Sequence, residues 1–322
     1  MGGSSAATVA ELGEFGLIEH FKALAGQTDA VLLGPGDDAA VVAAHDGRVA
    51  ISADVLVEGV HFKGEWAAPE DIGHRAAAAT LADLAAMGAT ATALVVSLIG
   101  PAGMSAQWAL SLAQGLSEEA ALVGASVVGG DLSRGRQVVI AVSGIGDLAG
   151  RPPVTRSGAR PGDVAALAGR QGWAAAGLAV LSRGFRSPRA IVEAYRRPLP
   201  PYAAGPAAAL AGATAMIDVS DGLLADAGHV ADASGVTIDF DPAALPVPAE
   251  LEAAAAAFNV DPLTWVLAGG DDHALLATFP PGTALPEGFA AVGRVEERGA
   301  GQAGVLVGGQ RYTGDTGHEH FR

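Results

Sequence analysis

Residues 147–162, DLAGRPPVTRSGARPG, carry three prolines, three glycines and three arginines between two apolar runs. Proline removes a backbone donor and glycine loosens the chain, so neither a helix nor a strand is expected to cross this stretch. It divides the 322 residues into segments 1–150 and 151–322, each of ordinary domain size.

Outward from the break, short β-branched runs bounded by Gly, Pro or Asp predict strands. They are 49–56, 93–100 and 137–146 before it, and 163–169, 215–220, 236–240 and 274–279 after it. Ala- and Leu-rich stretches that end near Gly predict helices over 69–88, 104–124 and 221–235. RRPLPPY, 196–202, reads as a loop. The mixture is of α/β type, and both halves set an acidic turn beside a short strand, which suggests two similarly built lobes.

Half of the residues are hydrophobic but only 5% are aromatic, so the core should be built of small, closely packed side chains. The formal charge of −16 argues against nucleic acid or an anionic membrane as main partner. The absence of cysteine excludes disulfides, thiolate metal sites and a cysteine nucleophile. The first residues lack the basic start and apolar run of a signal peptide, and the apolar stretches are too short to cross a bilayer. A soluble, cytoplasmic protein is expected.

Aspartates recur beside glycines and at strand ends: Asp37 and Asp38 in LLGPGDDAAVV (32–42), Asp54, Asp131, Asp218, Asp221, Asp271 and Asp272, with Asp83 late in a helix. Such hard oxygen ligands suit Mg²⁺, which in turn favours phosphate substrates. Each Asp is also an ordinary turn former, and Ser220 or Asp221 could be merely the cap of the following helix. No G-x-x-x-x-G-K-[ST] is present and Lys22 and Lys63 are the only lysines, which excludes P-loop enzymes and protein kinases. No G-x-S-x-G elbow supports a hydrolase, and GIGDL (144–148) is too weak for a dinucleotide fingerprint.

Taken together, GDDAAVV (36–42), ISADVLVEGVHF (51–62), LADLAAMGA (81–89), VVGGDLSRG (127–135), TRSGARPGD (155–163), IDVSDGLLAD (217–226) and AGGDDHALL (268–276) resemble the thiamine-monophosphate kinase family. Its superfamily also holds aminoimidazole ribonucleotide synthetase and selenophosphate synthetase. The resemblance implies a two-lobed α/β (α+β) fold. Its N-terminal lobe, 1–150, carries a mixed sheet, pairs in a homodimer and binds ATP and Mg²⁺, and its C-terminal α/β lobe, 151–322, completes the site.

The implied reaction is transfer of the γ-phosphoryl of ATP onto thiamine phosphate. Asp38, Ser52, Ala53 (through its carbonyl), Asp54, Asp83, Asp131, Asp218 and Asp221 would hold several Mg²⁺ ions. Gly130, Asp131, Arg156 and Ser220 would contact ATP, and His61, Asp271 and His318 would meet thiamine phosphate. His61 reads equally well, from the residues alone, as a structural histidine. The acceptor phosphate is itself the nucleophile, so no general base is required.

The chain departs from the family pattern at several points. STD becomes Ser52-Ala53-Asp54, and NLSD becomes Thr80-Leu81-Ala82-Asp83. GGEDYEL becomes Gly269-Gly270-Asp271-Asp272-His273-Ala274-Leu275, and His318 stands where the family has a larger aromatic. The metal ligands are kept, whereas Asp271, His273, Ala274 and His318 alter the substrate side. The alternative is therefore a nucleotide-binding homologue with another substrate or no catalysis.

Overall fold

The computed structural model describes residues 8–24, 26, 28–34, 40–299 and 304–318. Two compact units emerge, one of 1–84 with 90–150 and one of 85–89 with 151–322. Asp37 and Asp38 lie outside the described residues.

The first unit runs α1 (Val9–Leu12), α2 (Glu14–Leu24), β1 (Val31–Leu33), β2 (Val41–Val42), β3 (Ala50–Val57), α3 (Pro69–Ala86), β4 (Thr90–Gly100), α4 (Ala106–Leu122), β5 (Ser126–Arg134) and β6 (Val139–Asp147). Its main sheet has the order β3-β6-β4-β5, and β1 and β2 pair separately. β4 and β5 are parallel and joined through α4, while β6 lies antiparallel to both β3 and β4. Helix α3 starts with Pro69 at its first position, and the Asp71 carboxylate accepts the Ala68 N–H at 3.1 Å. Proline there loses no hydrogen bond, and the acid satisfies an orphan donor.

The expected small-residue core is present, with Ala76, Ala77, Ala78 and Ala82 fully buried around Leu81 and Leu84. Small side chains let backbones touch. A Cβ on Gly73 would fall 2.1 Å from the Leu112 carbonyl oxygen, and one on Gly115 would fall 2.0 Å from that of Glu70. Helices α3 and α4 are thus fixed against each other at both glycines.

The second unit runs β7 (Val164–Ala168), α5 (Trp173–Ser182), α6 (Arg189–Arg196), α7 (Ala204–Leu210), β8 (Ala215–Val219), α8 (Leu223–Ser234), β9 (Val236–Phe240), α9 (Ala249–Phe258), α10 (Pro262–Ala268), β10 (Ala274–Phe279), β11 (Phe289–Glu297) and β12 (Val305–Val307). Its sheet order is β12-β9-β11-β7-β10-β8, antiparallel except for β12 beside β9. Phe279 meets Phe289 edge-on at 5.4 Å within a core that also holds Met216, Leu275 and many alanines.

All seven sequence-predicted strands and three helices form. β5 carries no strand signal in the sequence, because Gly129-Gly130-Asp131 disguises it. Charged and small residues hide β11 in the same way.

Candidate functional site

In the first unit the site is built where α3 lies on β6. Gly144 pairs with Ser52 on one side and Leu94 on the other. A Cβ there would sit 2.7 Å from Thr80 Cγ2 and 2.9 Å from Leu84 Cδ1, so only glycine admits the helix this closely. Ser52 and Asp54, two apart on β3, share the face toward α3. Thr80 and Asp83, three apart on α3, share the face toward β3. Accordingly the Ser52 hydroxyl donates to the Asp83 carboxylate, and the Thr80 hydroxyl donates to Asp54 Oδ2 at 2.9 Å. Hydroxyls orient these oxygens without neutralising them.

Ala53 turns its methyl to the other face and pairs with Ser143. Gly130 pairs with Val96 and Asp131 with Ser97, on β5, which has β4 and β6 between it and β3. A side chain at 130 would strike the Val96 carbonyl oxygen at 1.9 Å, which gives that glycine a packing reason of its own. The exposed Asp131 accepts from the Ser133 hydroxyl at 2.7 Å. His61 sits in the turn after β3, where its Nδ1 accepts the Val57 N–H at 2.9 Å. The ring proton is then on Nε2.

In the second unit three chain segments converge. Asp218 lies next to last in β8, and its Oδ2 is 3.1 Å from His273 Nδ1, both side chains being buried. The Asp271 N–H donates to the Ser220 carbonyl at 2.8 Å, and the His318 N–H donates to the Asp221 carbonyl at 2.9 Å. Ser220, Asp221, Asp271 and His318 are therefore together. Arg156 follows Thr155, whose carbonyl accepts from Met216 at the start of β8, and its own side chain is exposed.

The capping alternative for Ser220 and Asp221 does not hold. The helix cap is Gly222, and Asp226 instead takes the N–H groups of Asp221 and Gly222 at 3.0 and 3.1 Å. Burial pushes the Asp226 carboxyl up to about 7 against these bonds, with the charges of Asp218 and Asp221 adding to the rise. Asp226 was legible only as the last letter of IDVSDGLLAD.

Asp272, one of the recurring aspartates beside glycine, has a structural task here. It follows Asp271, whose φ of 67° Asp tolerates better than most residues. Its Oδ1 accepts the Ala174 N–H at 3.0 Å, capping α5 from 98 residues away, since the local cap Gly172 has no side chain. Among the described residues its Oδ2 has no partner.

Burial pushes Asp272 up to about 7, the nearby Asp271 charge adding to the effect and the Ala174 N–H opposing it. The unfolded chain releases this proton near 3.9, so between about 4 and 7 the native state binds more protons. Stability therefore falls as pH rises through that window. Asp272→Asn should raise stability by about 1–3 kcal/mol at pH 8 and by much less at pH 5. Thermal melts at both values check this, and a pH-independent difference contradicts it.

Residues 36–148 match the family model of the AIR synthase related protein N-terminal domain, and 160–314 that of its C-terminal domain. The thiamine-monophosphate kinase of Mycobacterium tuberculosis (strain H37Rv) is 49% identical over 98% of this chain and 93% of its own length. That of Escherichia coli K12 is 35% identical over 83% of each. Among solved structures, the Stenotrophomonas maltophilia K279a thiamine-monophosphate kinase superposes with a TM-score of 0.80 at 32% identity, covering 92% of this chain and 97% of the other. AaThiL complexed with AMPPCP and TMP gives 0.79 at 31% identity, covering 99% and 100%.

Proposed function

The chain belongs to the thiamine-monophosphate kinase family of AIR synthase related proteins, and from that premise we propose that it transfers the γ-phosphoryl group of ATP directly onto thiamine phosphate, giving ADP and thiamine diphosphate. The observation that carries the reading is the meeting of Ser52, Asp54, Thr80 and Asp83 on facing sides of β3 and α3. It stands beside a relative of full coverage solved with AMPPCP and TMP.

Two carboxylates that accept from the Ser52 and Thr80 hydroxyls suit Mg²⁺, which prefers oxygen ligands and retains water. Bound there, it would neutralise charge on the triphosphate and on the group in transfer. We assign Asp54, Asp83, Ser52, the Ala53 carbonyl and Asp131 to this work, with Asp38 at the same task. Asp218 and Asp221, in the second unit, are assigned to Mg²⁺ as well, with Asp218 oriented by His273. Gly130, Asp131, Arg156 and Ser220 are assigned to ATP. His61 offers its Nε2–H to the acceptor phosphate, and Asp271 and His318 border the thiamine end. In-line transfer needs position and charge neutralisation rather than a general base.

The N-terminal unit is assigned to ATP binding and to pairing of two chains. In support of pairing, one face of its sheet is apolar and open: Ile51 is 70% exposed and Val55 48%, with Ile145 opposite Ile51 in register. Light scattering should give twice the chain mass, and a single-chain mass overturns the pairing. The net charge of −16 speaks against nucleic acid as partner. Among the described residues no helix is long and apolar enough to cross a membrane. The cytoplasm is assigned as compartment because the co-substrate is ATP.

Purified protein with ATP and Mg²⁺ should form thiamine diphosphate from thiamine phosphate and none from free thiamine. Binding of ATP without product at saturating substrates favours the non-catalytic homologue and overturns the kinase. Product from free thiamine overturns the acceptor.

A further inference from the structure

Away from the aspartate cluster, the first turns of α3 and the end of α4 bring together Glu70, His74 and Glu118. One ligand atom from each lies within 4.8 Å of the others. His74 is buried, and both its ring nitrogens face carboxylates: Nδ1 is 2.7 Å from Glu119 Oε2 and Nε2 is 3.2 Å from Glu118 Oε2. We propose that Glu70, His74 and Glu118 form a binding site for a divalent first-row transition metal ion, with Glu119 as the outer partner that orients the imidazole.

The donor set decides the metal class. One imidazole nitrogen and two carboxylates suit Zn²⁺, Co²⁺ or Mn²⁺, whereas Mg²⁺ favours oxygen alone. Glu119, itself 4% exposed, accepts from Nδ1–H. With an ion bound, that bond would hold the neutral ring with its Nε2 lone pair toward the ion, the arrangement by which proteins commonly orient a metal-binding histidine.

The frame is stiff and the entrance is open. Glu70 and His74 are four apart, hence neighbours on α3. Gly73 and Gly115 hold α3 and α4 at backbone contact beside them, the Gly115 position abutting both the Glu70 carbonyl and the His74 N–H. The Glu118 side chain is 47% exposed and can swing. An ion about 2.1 Å from each ligand in tetrahedral array sets them roughly 3.4 Å apart. The separations, all within 4.8 Å, therefore need to close by no more than about 1.4 Å. Three protein ligands leave a position for water, and the bound ion ties the start of α3 to the end of α4.

The test is equilibrium dialysis of the full chain against Zn²⁺ with Mg²⁺ in large excess, which occupies the all-oxygen sites. The wild-type chain should take up one Zn²⁺ that Glu118→Gln and His74→Gln do not, and Zn²⁺ should raise its melting temperature but not theirs. Glu119→Gln should weaken binding about 10–100-fold. Co²⁺ should give a visible d–d spectrum in the wild type that Glu118→Gln abolishes. Glu118 is partly exposed, so that variant tests the site even if His74→Gln fails to fold. Equal Zn²⁺ uptake and equal melting shifts in wild type and Glu118→Gln overturn the proposal, and leave His74 as an imidazolium between two glutamates.

Discussion

Asp54→Asn is expected to lower the rate of thiamine diphosphate formation by about 10³-fold, roughly 4 kcal/mol of barrier, while the chain stays folded. The side chain meets Thr80 across the gap between β3 and α3, and Asn keeps an acceptor for that hydroxyl. Its neighbour across the same gap is Asp83, bonded to Ser52, so loss of one negative charge relieves repulsion rather than creating it. The melting temperature should therefore hold or rise. What is lost is a hard anionic oxygen, and an amide is a poor substitute as a Mg²⁺ ligand. Activity, circular dichroism and melting measured together separate the cases. Near-normal turnover removes Asp54 from the proposed machinery, and a collapsed fold shows the residue to be structural.

The parts of this arrangement that were legible in the sequence are those in which partners lie close along the chain. Ser52 and Asp54 share a strand face because they are two apart. Thr80 and Asp83 share a helix face because they are three apart. The small-residue composition announced a core in which backbones touch, although it did not say that Gly144, Gly73 and Gly115 are the points of contact.

Partners distant in the chain were not legible. Asp272 reads as one more turn acid, yet it caps α5 at Ala174, where Gly172 leaves the helix without a local cap. His273 reads as a departure from a substrate motif, yet its ring meets Asp218, 55 residues away. The spacing of four puts Glu70 and His74 on one helix face, but nothing marks Glu118 as their neighbour until α3 and α4 are in contact.

Gly270→Ala should disable the second unit's cluster of Ser220, Asp221 and Asp271, by backbone displacement rather than loss of a functional group. A Cβ at 270 would lie 2.1 Å from the Ser220 carbonyl oxygen and 3.0 Å from the Asp221 carbonyl carbon. Those atoms are main chain, and the same Ser220 oxygen receives the Asp271 N–H at 2.8 Å. No rotamer change relieves the clash, so the two turns must part, at a cost of about 3 kcal/mol or more. Separation also moves Ser220 and Asp221 away from Asp271, and a shift of about 1 Å in a positioning element can cost on the order of 10²-fold in rate. The control is Gly228→Ala on α8, where a new Cβ meets nothing within 4 Å. It should be neutral or stabilise by up to about 1 kcal/mol, since alanine is the better helix former. A lowered melting temperature and lost turnover in the first variant, with neither in the second, would locate the effect in the contact between 220–221 and 269–271. Full activity in Gly270→Ala would mean that this contact does not govern the site.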